Sequence, residues 1–310
     1  MTPRHRFLSG ILAGSSLGLS LLGGVSCKRD QEPAPASGAP AGKAPAEAPA
    51  GGPASLTAVR WSGSGPILDV NAPGWQQAPA LPVAMMPQMM ATPMNPAPAV
   101  SELTVRAAHN GQWIAVLITW ADSTRSDRIV TGQFGDQVAV EFPITGKDGA
   151  VPSPTMGNPG GRVNILQWRA ALQHDLDRGD PTVRGLYPNA VADYYPDRVL
   201  PASSARPYSA AVGLGNPVSR ASGSPVLDQV AEGFGSLTAK TRRHADGRGA
   251  WSNGRWSVVV TLPLVADSTA RPRLAPGQKT MVAFAVWEGG HREVGSRKAW
   301  SNWVPLVLGE

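Results

Sequence analysis

Two Asn-Gly pairs constrain this chain more than any other feature in it. Asn110-Gly111 interrupts the alternating stretch ELTVRAAHNGQWIAVLITW (Glu102–Trp120), and Asn253-Gly254 interrupts GAWSNGRWSVVVTLPL (Gly249–Leu264). Asn and Gly tolerate the positive φ angles of a tight hairpin turn, and apolar residues at every second position mark a strand with one buried face. Each pair therefore predicts a β-hairpin. Similar runs are LTAVRWS (Leu56–Ser62), DQVAVEFP (Asp136–Pro143), VNILQW (Val163–Trp168), TMVAFAVWEG (Thr280–Gly289) and NWVPLVLG (Asn302–Gly309). Helical periodicity shows only around Ser224–Glu232. With 35 glycines, 30 prolines and 16% charged residues in 310, long charged helices and coiled coils are excluded. The expected fold is all-β, an antiparallel β-sandwich with long irregular loops and few short helices. The connection from Arg169 to Gly223 is the longest without strand signals, a length that usually serves function or packs as a lid.

The strands occupy only part of the chain. Residues 1–26 have the layout of an export signal: Arg4 and Arg6 precede an uncharged stretch rich in Leu, Gly and Ser, too diluted for a stable transmembrane anchor. Cys27 follows at once in GGVSC, which resembles the lipobox of bacterial lipoproteins, with Gly24 where Leu is usual. In that family the cysteine carries lipid. Residues 27–55 alternate Pro with Ala and Gly and lack large apolar side chains, so they are read as a disordered tether. Residues 56–310 form the folded domain. The expected location is the periplasm, with the protein tethered to a bacterial membrane through lipid on Cys27.

Cys27 is the single cysteine of the chain. That excludes an internal disulfide, a multi-cysteine zinc site, a cysteine-ligated iron–sulfur cluster and, without CxxCH, covalently attached c-type haem. The net charge of +6 is spread without basic runs, so nucleic acid is not an expected partner. Hydrolase, zincin and nucleotide-binding motifs are absent. His5 lies in the signal, while His109, His174, His244 and His291 stand far apart and read as surface or loop residues. Carboxylates such as Asp122/Asp127 and Asp175/Asp177 read as solvated loop groups. No catalytic constellation emerges, and the chain reads as a binder or carrier.

Methionine is the unusual element. Met85, Met86, Met89, Met90 and Met94 cluster in PVAMMPQMMATPMNP, and Met156 stands alone in PSPTMGNPGG. A thioether is a soft ligand suited to copper(I) or haem iron. The cluster also reads as adaptable apolar surface. Met156 sits in a Pro/Gly-bounded loop just before VNILQW, where a rigid turn holds a side chain in place.

From here a resemblance becomes specific. PTMGNPGGRVNILQWRA, the GNP at Gly215–Pro217, GFGSLT (Gly233–Thr238), GAWSNGRWSVVVTLPL and VAFAVWEGGHREVGSRKAWSNWVPL follow in order, with LITWADST and FGDQVAVEFP before them. The series resembles the haem b-binding gamma subunits of type II DMSO reductase-family molybdoenzymes, the group of ethylbenzene and dimethylsulfide dehydrogenases and selenate and chlorate reductases. The resemblance implies a β-sandwich holding one non-covalent, six-coordinate haem b between a methionine and a lysine. The P-x-M-G segment matches at Met156, and the C-terminal lysine at Lys298 in GSRKAWSNW. It further implies an electron-transfer subunit, not an enzyme, partnered by an iron–sulfur beta subunit, a molybdenum-containing alpha subunit and a soluble c-type cytochrome. A ligating lysine must be a neutral amine, so its pKa has to be lowered by burial; Trp300 and Trp303 are the expected apolar shell. Trp168, Trp251, Trp256 and Trp287 read as core. Two other readings remain open at this point: a carbohydrate-binding sandwich using exposed tryptophans, and a Met-rich copper carrier.

Overall fold

Both expected hairpins form, by different turns. The computed structural model describes residues 54–144, 149–179, 188–189, 216–218, 223–265 and 269–310; the signal, Cys27 and all but the end of the tether lie outside them, as does most of the Arg169–Gly223 connection. In chain order the strands are β1 (Leu56–Arg60), β2 (Leu81–Ala84), β3 (Met86–Pro87), β4 (Glu102–His109), β5 (Trp113–Ala121), β6 (Gln137–Ile144) and β7 (Arg162–Arg169). Helix α1 (Ala170–Arg178) follows, then β8 (Val226–Ala231), β9 (Thr238–Ala239), β10 (Asp246–Ser252), β11 (Arg255–Pro263), β12 (Lys279–Trp287), β13 (Ala299–Trp300) and β14 (Val304–Leu308). Between β10 and β11, Asn253 and Gly254 both take positive φ (51° and 70°), as a two-residue primed turn requires. Between β4 and β5 the turn is wider. There Gly111 alone takes positive φ, and the Asn110 side chain accepts the Gln112 and Trp113 N–H groups at 3.0 and 2.8 Å.

The ladder runs β10-β11-β5-β4-β1-β14-β12-β6-β7-β8-β9. It is antiparallel except at β1, which pairs parallel with both β4 and β14. β12 turns the corner of the sandwich. Its first half, Lys279–Val282, pairs with β14, while Ala283–Trp287 pairs with β6 and so starts the second sheet. The inner faces share one apolar core, centred on Trp120, Trp168 and Trp256. Trp168 meets Trp256 edge-on at 5.1 Å, and a Cβ on Gly249 would lie 2.4 Å from the Trp168 ring, so glycine there lets the backbone lie on the indole.

Three expectations need correction. Ser224–Glu232 is not helical: Val226–Ala231 is β8, between β7 and β9. Its apolar run has strand length, and sheet pairing on both sides outweighs a weak helical period. The irregular connection after Arg169 opens with an ordered helix, α1, whose Ala170, Ala171 and Leu172 are buried. His109 is not a surface residue. It closes β4 and is fully buried; burial, and then Arg60, hold its pKa below the ordinary histidine value.

Candidate functional site

The functional cleft lies on the outer face of the second sheet, away from the shared core. Alternation directs Ala139 and Glu141 of β6, Ile165 of β7, and Ala283, Ala285 and Trp287 of β12 to that side. In register, Ala285 stands beside Ala139, and Ala283 beside Glu141. Three alanines on two neighbouring strands make a flat, recessed floor. The cleft above it is lined mostly by apolar side chains.

One wall is the loop Pro152–Gly161. Met156 lines the cleft in a left-handed backbone conformation, φ 69°, rare for a side chain without a local hydrogen-bonding group. The loop is held at many points. Gly157 donates to the Ser153 carbonyl at 3.0 Å, Asn158 and Gly161 exchange backbone bonds, Gly160 donates to Glu232 Oε1 at 2.8 Å, and Gly233 donates to the Met156 carbonyl at 2.8 Å. Trp303 Nε1 donates to the Pro152 carbonyl at 2.7 Å, so Trp303 braces this wall from behind.

The cleft is also lined by Lys298, the residue before β13. β13 is pinned between β12 and β3, with Trp300 opposite both Ala285 and Met86. The loop leading to it is closed by Trp287 Nε1, which donates to the Gly295 carbonyl at 2.9 Å. Lys298 Nζ lies 5.4 Å from the centre of the Trp287 ring. Burial pulls the lysine pKa below its ordinary value, against the opposing pull of Glu141. Trp287, read from sequence as core, is thus a wall of the cleft, and Trp300 is another.

The methionine cluster divides. Met85 is buried in the sandwich core, whereas Met90 and Phe234 form the rim of the cleft, 48% and 54% exposed. Gln88 organises the turn between them, accepting from the Met90 and Ala91 N–H groups and donating to the Ala91 and Ser296 carbonyls. Its second tie therefore joins the methionine turn to the Lys298 loop.

Glu141 was missed in the sequence. It is 8% exposed, lies beside the Met156 backbone, and keeps Oε1 buried without a partner. Burial raises its pKa to about 8, against the pull of Lys298 and of the Met156 backbone. The available signal was one carboxylate inside the apolar strand DQVAVEFP, on the same face as Ala139.

The carboxylates are not all scattered. Asp122, Asp136 and Glu288 are buried with oxygens within 4.8 Å of one another. Asp136 accepts from the Ser126 and Gly289 N–H groups and Trp256 Nε1; Glu288 accepts from the Thr124 hydroxyl, the His291 N–H and the His291 ring. These bonds tie three loops to the sheet end. Burial raises Asp136 to about 7 and, with Glu288 beside it, Asp122 to about 6. Asp127 does read as a loop group, paired with Arg125 at 2.8 Å.

A β-sandwich with a soft thioether and a desolvated amine facing one flat apolar cleft is a cofactor-binding module. Residues 72–299 match the ethylbenzene dehydrogenase family, and the chain belongs to it. Two curated relatives are similar: the "Putative respiratory nitrate reductase heme subunit ORF7" of Haloferax mediterranei, 25% identical over 76% of this chain and 66% of that protein, and the chlorate reductase subunit gamma of Ideonella dechloratans, 24% identical over 65% and 62%. The matched region thus spans less than two thirds of either relative. Among solved structures, a family 9 carbohydrate-binding module from Caldicellulosiruptor kristjanssonii in complex with glucose is similar at 8% identity and TM-score 0.39, covering 82% of this chain and 96% of that one. The expected kinship with the gamma subunits of molybdoenzymes is borne out.

The cleft suits haem. Alanines leave the floor clear of bulky side chains, indoles and Met90 supply apolar edges, and a thioether and an amine whose hold on its proton burial weakens both line it. With no CxxCH in the sequence, c-type covalent attachment is excluded.

Proposed function

We propose that this chain is the haem subunit of a molybdoenzyme complex and passes electrons without performing bond chemistry itself. The observation that carries the reading is that Met156 and Lys298, about 140 residues apart in sequence, both line one apolar cleft. In this reading they are the axial pair of a single non-covalent haem b, and the bound haem supplies a one-electron couple. The chain's own residues do the rest. Met156 offers a soft donor that favours the reduced iron, and Lys298 an amine whose hold on its proton burial weakens. Trp287, Trp300 and the alanine floor keep water from the centre. With both axial positions taken there is no place for a substrate, which suits an electron carrier.

The proposed partners are an iron–sulfur subunit and a molybdenum-containing catalytic subunit, with a soluble c-type cytochrome as the external donor or acceptor. The proposed location is the periplasm, with residues 1–26 removed and Cys27 lipidated. Support comes from the named relatives for the complex and from the sequence for export and anchoring.

An absorption spectrum of the purified full chain is the test. The expected result is a Soret band with sharp reduced bands and complete extraction of the haem by acidic acetone. A protein that takes up no haem, or that keeps it after extraction, contradicts the reading. Retention on polysaccharide or stoichiometric copper would instead favour a sugar-binding or copper-carrying role.

A further inference from the structure

Among the residues lining the cleft, only Glu141 has a fully enclosed polar side-chain atom without a partner. Burying an acceptor unpaired costs the desolvation of that group with no bond in return, so a side chain of this kind is retained where something in the working protein meets it. Glu141 stands in the middle of the floor, between Ala283 on β12 and Ile165 on β7. On one side the Met156 backbone approaches closely enough to favour its ionised form. Met156 holds a left-handed conformation disfavoured for a side chain of this kind, and the Gly233 N–H, donating to its carbonyl at 2.8 Å, helps to keep it there. On the other side, Lys298 lies near enough for its field to reach the carboxylate.

We propose that Glu141 is the positioning residue for both ligands: its carboxylate fixes the turn that presents the Met156 thioether, and its free Oε1 accepts an N–H of the Lys298 amine when the cleft is filled. The inference rests on Met156 and Lys298 being the axial pair. A lysine amine bound through its lone pair keeps two N–H groups, and a neighbouring acceptor orients them, as carboxylates and carbonyls orient metal-bound histidines. One side chain would thus couple the two walls of the cleft and set the orientation of both donors.

The test compares the haem-loaded full chain as wild type, Glu141→Gln and Glu141→Leu. Gln keeps the volume and one acceptor oxygen; Leu keeps the volume and none. The readouts are the ferric spin state, the electron paramagnetic resonance g-values and the rate of haem transfer to apomyoglobin, with urea unfolding of the haem-free proteins alongside. The expected order of release is wild type, then Gln about threefold faster, then Leu tenfold or more faster. High-spin signal should grow in the same order. Equal spectra and release rates in all three overturn the assignment, and so does a change confined to urea stability, which marks a purely structural residue. Should the Leu variant fail to fold, the Gln variant decides by the same readouts. If wild type itself gives no low-spin haem spectrum, the axial-pair reading fails; if it does, and Met156→Ala and Lys298→Ala alter it while the Glu141 variants do not, only the role of Glu141 falls.

Discussion

A Cβ placed on Gly157 would lie 2.5 Å from the carbonyl oxygen of Gly161. Gly157 also has φ 74° and follows Met156, itself left-handed, so the turn that presents the thioether depends on a glycine at its centre. Gly157→Ala should cost about 2–4 kcal/mol of stability, from backbone strain and the clash. Because Met156 moves with the turn, haem retention should fall further than in a variant destabilised equally elsewhere. Urea unfolding read together with haem transfer checks both parts.

The alanine floor predicts a separation of folding from loading. Ala285 is half-buried and faces the cleft, beside Ala139 in register. Ala285→Leu should fill the space for a flat group while changing the stability of the haem-free protein by about 1 kcal/mol or less. A normal unfolding curve with no Soret band is the expected result; full haem loading would contradict the placement of the cofactor.

The proposed axial pair predicts two different losses. Met156→Ala should lower the midpoint potential or convert the iron to high-spin, because the soft donor that favours reduced iron is gone. Lys298→Ala should weaken haem retention, and Lys298→His should restore a low-spin spectrum. Unchanged spectra and potentials in both alanine variants would exclude the pair.

Stability should rise on acidification from pH 8 to pH 5.5. Asp136 is raised from 3.8 to about 7, so the folded state binds a proton in this window that the unfolded state does not. The burial cost is felt in full above pH 7 and relieved as pH falls, worth about 2 kcal/mol across the interval. Asp122, raised to about 6, acts in the same sense. So does His291, whose raised pKa, due first to its hydrogen bond with Glu288, adds stability at low pH that is lost as pH rises. His109 opposes them, since its lowered pKa makes the unfolded state the better proton binder below pH 6.5. Thermal melting of the haem-free protein at the two pH values measures the balance, and a higher melting temperature at pH 8 would reverse the sign argued here.

Lipidation predicts location. Cys27→Ser should move the protein from the membrane fraction to the soluble periplasmic fraction. A wild-type protein already soluble, with no lipid mass on the N-terminal peptide, would exclude the tether.

The strands that proved legible were those whose own residues alternate or run apolar next to a hairpin turn, such as β4 with β5 and β10 with β11. β2, β3, β9 and β13 were not. They have two to four residues each and exist because a longer neighbour offers unpaired backbone groups, as β12 does to β13 and β4 to β2. β8 misled for a related reason: its six residues carry too little periodicity to separate strand from helix, and pairing with β7 decided the matter. The site divided in the same way. Met156 and Lys298 stood out through the ordered series of family motifs. Glu141 and Gln88 did not, since a single polar residue in a strand or turn has no signature until its partners are in place.

The sequence alone determined the hairpins and the exclusion of thiol-based and covalent cofactor chemistry, because these depend on local residue type and spacing; the two candidate ligands came from the family resemblance. Tertiary structure decided which face of β6 and β12 became the floor of a cleft, that Asp122, Asp136 and Glu288 meet beneath three loops, and that Glu141 lies near both Met156 and Lys298. These depend on register between strands far apart in the chain. A shift of one residue in the pairing of β12 with β6 would turn Ala139, Glu141 and Ala285 out of alignment and leave no common surface for Met156 and Lys298 to face.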